Sequence, residues 1–519
     1  VSHVIPGLAG SIPDYTTFLD LLLSPRGEWR LFRMDAAAAA FYWLQPQNTS
    51  VANFLQEHPP IDFIRAAFPL DPPESEGEGA SGLAVWPRER TWYDDLFVLP
   101  KRSVPNDAQL ARHYSQLNNE LISRLQQSLP PDLTLALAVL TERHARQALD
   151  TDANSIEAYA SLADAYRAQA TVQQVFVSAF GGDAPQQFLQ RQGLAARYFA
   201  LKCDPENAFT HQELFEMHLI SQRYDLALYH LDEIQRLTGD LTAYPADSEI
   251  GAAYIERNRG VMEELSPQIE LQLEEISAQL AEGTGRTEVA RAAIQSGLHR
   301  EALRILEEDP VLRTQDHFAQ MLYAELLRTN GRTEEARDAL LALSTAMEGQ
   351  PAAFSNPWRG EAASASAAAG DYRGAMEFWR DQQRLMTRSR LKSALGMSPA
   401  PGQVPSTSSI PFSHGPAELQ ELRPILRSTI AGDILGNYPQ QWTLAQLNRA
   451  LCHLELGETG QSVELLQEIL EVDPESTYRP IVAFYLATIT GELVEIRTPS
   501  QTAEMSFPPP PFSAEPIGN

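Results

Sequence analysis

Side chains able to hold a metal or move a proton are most densely placed at His211, His218 and His230, in a chain of 519 residues with eleven histidines and two cysteines. A zinc centre needs four ligands converging as a tetrahedron, usually with thiolate or carboxylate beside imidazole. No such partner stands at a matching spacing, and His113 and His144 fall on separate helical segments without a companion. Gly283-Thr284-Gly285-Arg286-Thr287 comes nearest to a phosphate-cradling loop, but it lacks the lysine, has no glycine five residues before Gly285, and follows no strand. The carboxylate pairs Glu263-Glu264, Glu274-Glu275 and Glu307-Glu308 are adjacent on helical segments, so they diverge in direction and read as solvated faces. Nucleophile elbows, HExxH, paired CxxC and dinucleotide fingerprints are missing from the sequence. The expectation is a protein that is not an enzyme, with no catalytic residue, no metal and no cofactor.

Charge narrows the partners. Forty Lys and Arg against 68 Asp and Glu leave −28, which disfavours nucleic acid and anionic membranes, because both need clustered cations. Like charge also keeps an extended surface soluble. Cys203 and Cys452 lie in separate helical segments, so a disulfide framework is excluded. The longest apolar runs, Ala36 to Leu44, Leu133 to Leu140 and Ile481 to Ile489, fall short of the ~20 residues needed to cross a bilayer. Asn48-Thr49-Ser50 matches a glycosylation acceptor, but such triplets arise often by chance and it reads better as a turn.

The elements that would position any site fall into zones. Residues 1–107 are rich in proline and aromatics, with an acidic Gly/Ser stretch at 74–82, and read as an irregular docking or capping region with short helices and no strands. Residues 108–386 read as helix almost throughout, 387–416 as a Pro/Ser/Gly linker, and 417–490 as helix again. Residues 491–519 form an extended tail carrying Phe507-Pro508-Pro509-Pro510-Pro511-Phe512.

Within the helical zone the chain repeats itself. A glycine followed five positions later by alanine occurs at Gly297/Ala302, Gly331/Ala336 and Gly370/Ala375, and Gly297 lies 34 residues before Gly331. Two antiparallel helices approach closely only where small residues meet, and the turn between them needs a residue that accepts positive φ. Tyr159, Leu162, Ala163 and Tyr166 give one first-helix pattern, and His211, Leu214, Phe215 and His218 give another. Tyr159 to His211 spans 52 residues, 18 more than one repeat, so an insertion within about 167–192 is expected as a loop on one face.

These words, GLHREALRIL, GRTEEARDAL and GDYRGAMEFW among them, resemble the tetratricopeptide repeat (TPR) superfamily over roughly residues 133–385 and 440–478. Gln320, Arg286, Arg197 and Ser462 depart from the family pattern. The resemblance implies an all-α, TPR-like α-solenoid of antiparallel helix pairs that binds proteins. It places His211 and His218 at packing positions, and it points to a partner-binding face at Phe209, Gln212, Glu216, Leu219, Met321, Glu325 and Arg328. Phe507 and Phe512 are candidate anchors of a terminal arm. The function expected is a non-catalytic scaffold or subunit of a larger assembly whose partners are other proteins. The alternatives are a small catalytic or enzyme-accessory unit within residues 1–107, or a peripheral protein whose membrane anchor precedes Val1.

Overall fold

The computed structural model describes residues 2–6, 12–23, 29–34, 38–43, 61–69, 107–124, 130–311, 316–347, 352–394, 439–473, 476–492, 496–498 and 501–505. The 74–82 stretch, Asn48 to Ser50, most of the 387–416 segment and Phe507 to Phe512 lie outside them. Among the described residues there are eighteen helices. They belong to two compact units, residues 1–190 with 446–519, and residues 191–445.

The first unit opens with β1 (Ser2–Pro6), α1 (Ile12–Leu22), β2 (Trp29–Met34) and β3 (Ala38–Trp43). The strands form an antiparallel sheet in the order β1-β3-β2, which corrects the expectation of a region without strands. The alanines of β3 favour helix locally. Pairing on both flanks, Val4 with Ala40 and Leu31 with Phe41, overrides that preference. Phe18 of α1 meets Phe41 edge to face at 5.2 Å, and both rings are buried.

Next comes α2 (Phe63–Ala67), whose first turn is capped by Asp62 accepting from the backbone of Ile64 and Arg65. Its far end receives the Arg143 guanidinium, which donates to the carbonyls of Ala66 and Ala67 at 2.8 and 2.7 Å. Arg143 stands on α4 (Pro131–Thr151), which packs against α3 (Asp107–Arg124) and α5 (Ile156–Phe180). Leu133 to Leu140 are all buried, as they must be in a helix apolar on every side.

The same unit contains α17 (Thr459–Val472), α18 (Arg479–Thr490) and a hairpin of β4 (Ile496–Thr498) with β5 (Gln501–Met505). Phe484 of α18 lies 4.8 Å from Phe176 of α5, and Gln173 donates to the Tyr485 hydroxyl at 3.0 Å. These contacts correct the expected looped insertion. Its residues instead lengthen α5 to 25 residues and α6 (Gln186–Cys203) to 18, because Phe176 finds an apolar partner in Phe484 by staying helical.

The second unit contains the helix pairs α7 (Ala208–Ile220) with α8 (Tyr224–Thr238), α10 (Arg286–Gln295) with α11 (His299–Glu307), α12 (His317–Thr329) with α13 (Thr333–Ala346), and α14 (Ala352–Ala368) with α15 (Tyr372–Ala394). The 33-residue α9 (Glu249–Ala281) follows the first pair, and Ile269 and Ile276 pack it into the core of α10 and α11. α15 continues to Ala394, into the stretch that reads as a linker. α16 (Pro439–Glu455) follows it in the chain.

The turns repeat in geometry as well as in sequence. After Gly297 and Gly331, both at positive φ, the next N–H bonds the carbonyl five residues back, Leu298 to Ala293 at 2.8 Å and Arg332 to Leu327 at 2.9 Å. Ala302, Ala336 and Ala375 are fully buried at the crossings. Arg223 bonds His218 in the same way at 2.9 Å, but there the positive-φ residue is Gln222, at +56°. Gln222 is exposed, so Gln222→Gly is expected to raise stability by about 1 kcal/mol through relief of left-handed strain. Chemical denaturation would check it, and an unchanged or lower midpoint would refute the strain.

Candidate functional site

Seven residues of the expected partner face lie among the described residues, and the structure sorts them into two places. On α7, Phe209 is 49% exposed and meets Tyr244 edge to face at 6.4 Å. Tyr244 in turn lies 5.0 Å from Tyr254 of α9, and the Arg257 guanidinium sits 5.8 Å from the Tyr254 ring centre. Ile250, Tyr254 and Arg257 fall on one face of α9, with Ile250 59% exposed. Burial, with Glu216 beside it, raises the Tyr254 phenol above its ordinary range. Gln212 is buried and donates to Glu216 at 3.2 Å, so it braces the face from within. Leu219 is half-buried against the core around Phe215, Ala227 and Leu231.

On α12, Met321, Glu325 and Arg328 line a hollow of about 210 Å³ with Arg191, Leu322, Leu340 and Glu361. Arg328 pairs with Glu325 through two contacts, one of them 3.0 Å long, and Arg191 pairs with Glu361 at 2.8 Å. Burial works against the Glu325 charge, but Arg328, Arg191 and Arg223 outweigh it and hold its carboxyl below the usual range. Three guanidiniums beside Glu325 and Glu361 leave one positive charge in excess, inside a chain that is strongly acidic overall. None of the α7 residues lines this hollow.

Sequence reasoning missed Tyr244, Tyr254, Arg191 and Glu361. Ile250 and Tyr254, four apart, gave the only readable signal. The histidines keep the packing role expected of them, with His211, His218 and His230 all buried. His144 bonds Asp107 at 2.9 Å. Among the described residues no three His, Cys, Asp or Glu side chains converge on a metal-sized site. Gly283 to Gly285 form the turn into α10, and Arg286 and Thr287 are its first residues. Two departures from the repeat pattern become ion pairs: Arg197 is buried against Glu213 at 2.6 Å, and Arg286 reaches Glu308 at 2.8 Å. No described helix is long and apolar enough to cross a membrane.

No family model and no curated protein matches the chain. Solved structures do match. The TPR domain of P58(IPK) is 14% identical over 73% of this chain and 98% of that one, with a TM-score of 0.21. The Naa15/Naa10 structure bound to HypK-THB is 14% identical over 74% of this chain and 61% of that one, with a TM-score of 0.18. A human IFIT1 dimer with m7Gppp-AAAA is 12% identical over 73% and 84%, with a TM-score of 0.15. The repeat itself decides: the step of 34 residues from Gly297 to Gly331 carries one turn geometry and one buried alanine. The fold is a TPR-like helical repeat. In TPR-like terms, Phe209 and Met321 stand on the first helices of their pairs, α7 and α12.

Proposed function

We propose that the chain is a non-catalytic protein-interaction scaffold, or a subunit of a larger assembly, that grips partners through the faces of α7, α9 and α12. The observation that carries this reading is the row Phe209, Tyr244, Tyr254 and Arg257, where each side chain is braced by a neighbour and yet meets solvent. Aromatic and arginine side chains held in place before binding lose little entropy on contact, and they dominate interface energetics. Ile250 extends the row with apolar surface. In the same reading the hollow at Met321, Glu325 and Arg328 takes a partner side chain, and the segment from Phe507 to Phe512 serves as an arm toward neighbours.

Cross-linking and mass spectrometry of the chain in its native lysate tests the proposal. Ile250→Asp is expected to change stability by no more than about 0.5 kcal/mol, because the side chain is mostly exposed. It is also expected to lower recovery of cross-linked partners about tenfold or more, an effect of the size seen when a central contact is lost. A chain that stays monomeric with no retained partner defeats the proposal.

A further inference from the structure

The histidines of α7 and α8 are arranged so that their hydrogen bonds close only when the rings are uncharged. His211 Nε2 faces the Pro205 carbonyl at 3.2 Å, so that nitrogen carries the hydrogen and Nδ1 is left to accept. His230 Nδ1 lies 2.9 Å from His211 Nδ1 and donates to it. The Nε2 of His230 is then a buried lone pair without a hydrogen-bond partner. His218 Nε2 stands 2.8 Å from the Tyr198 hydroxyl, whose own hydrogen goes to the Thr329 carbonyl at 3.0 Å. His218 therefore donates through Nε2, and its Nδ1 is a second buried lone pair with no partner. The His218 and His230 rings are parallel, 5.5 Å apart.

A proton added to His218 or His230 would create a buried charged N–H with no acceptor. One added to His211 would set two donors against each other at its contact with His230. We propose that this stack is an acid-operated latch, in which protonation of any of the three rings releases the α7–α8 hairpin from its neighbours.

The charged surroundings act with the stack. Arg223 and His299 disfavour a charge on His218, and Arg300, whose guanidinium covers the Tyr229 ring at 4.2 Å, does the same for His230. At His211 the opposing pulls of Glu233 and Arg236 are secondary to burial. Burial depresses all three imidazoles, His218 to about 3, and the charged neighbours add to it at His218 and His230, while the Pro205 carbonyl and Glu233 work against it at His211. His299 falls to about 4 through burial and then Arg223, with Glu325 and Arg328 pulling in opposite senses.

Folded imidazoles thus stay neutral while unfolded ones take protons near 6.5. Stability is lost as pH falls below that value. Asp225, raised to about 6 by burial, has the opposite sign, since it gains its proton in the folded state first. Four lowered imidazoles against one raised carboxyl leave the unfolded form ahead in bound protons as the medium turns acid, and each such proton is worth tenfold per pH unit in the folding equilibrium. That the latch would also govern partner contacts on the outer face of α7 rests on the function proposed for that face.

Hydrogen exchange of the full chain at pH 7.5 and pH 5, corrected for intrinsic rates, tests it. Amides of α7 and α8 are expected to lose about tenfold or more protection, while those of α14 and α15, which carry no histidine, change by less than about threefold. A uniform change, or none, overturns the latch. His218→Gln keeps a donor for Tyr198 that cannot titrate, and it is expected to weaken the response about tenfold per pH unit. On the unaltered chain, NMR of 15N-labelled histidine is expected to find the three rings neutral at pH 6, and ordinary titration of any of them in the folded protein refutes the proposal. None of these readouts needs a partner, so the latch and the partner-binding reading fail separately.

Discussion

Replacing Gly331 with alanine is expected to lower stability by about 3 kcal/mol, far more than the same change at Gly370. Both glycines have positive φ, +81° and +88°, so both substitutions carry a left-handed strain of about 1 kcal/mol. They differ in what the new methyl group meets. At Gly370 it enters open space, whereas at Gly331 it falls 2.3 Å from Cδ1 of Tyr198. That ring cannot easily swing away, because its hydroxyl is tied both to His218 and to the Thr329 carbonyl. Overpacking against a fixed neighbour adds about 1–3 kcal/mol. Urea denaturation of the two variants side by side measures the difference, and equal losses would mean that Tyr198 does not pack over the turn.

Arg146→Ala is expected to cost about 3–5 kcal/mol, because it strands a buried carboxylate. The Arg146 guanidinium bonds Glu455 of α16 and the Tyr166 hydroxyl of α5, each at 2.5 Å. Glu455 is nearly inaccessible to solvent, and Glu142 beside it is 2% exposed and accepts from Gln169. One arginine cannot compensate two carboxylates. Burial, and then the charge on Glu455, pushes the Glu142 carboxyl well above its ordinary value and favours its protonated form.

Glu142→Gln therefore behaves quite differently from loss of the arginine. The amide can accept from Gln169 and donate to Glu455, as the protonated acid does. A raised acid gives stability that is complete below its unfolded value of 4.5 and is lost as pH climbs through the folded one. The Gln variant lacks that decline, so its advantage over the unaltered chain is expected to widen from pH 5 to pH 9. Denaturant midpoints across that range decide the matter, and parallel curves would mean that Glu142 is already ionised.

Much of the helical array was legible because its signals are local. Gly297, Gly331 and Gly370 mark the turns, and Ala302, Ala336 and Ala375 mark the crossings, by chemistry that does not depend on distant residues. The β3 strand was illegible for the opposite reason, since Ala38 to Ala40 become strand only through pairing with β1 and β2. The extension of α5 likewise depends on Phe484, more than 300 residues away along the chain. At the candidate site the α7 and α12 positions could be inferred from register, and Met321, Glu325 and Arg328 do line one hollow. Their counterparts Arg191 and Glu361 come from helices whose approach no spacing encodes. Gln222 hid a fourth turn by occupying it with a side chain.

The bond from Gln173 to Tyr485 closes a loop of 312 residues. Closing so long a loop slows folding more than it weakens the finished structure. During synthesis, α5 emerges long before the helix that will cover Phe176 exists. The intervening unit can assemble meanwhile from neighbouring hairpins, while the far end of α5 stays uncovered on the side that Phe484 will meet.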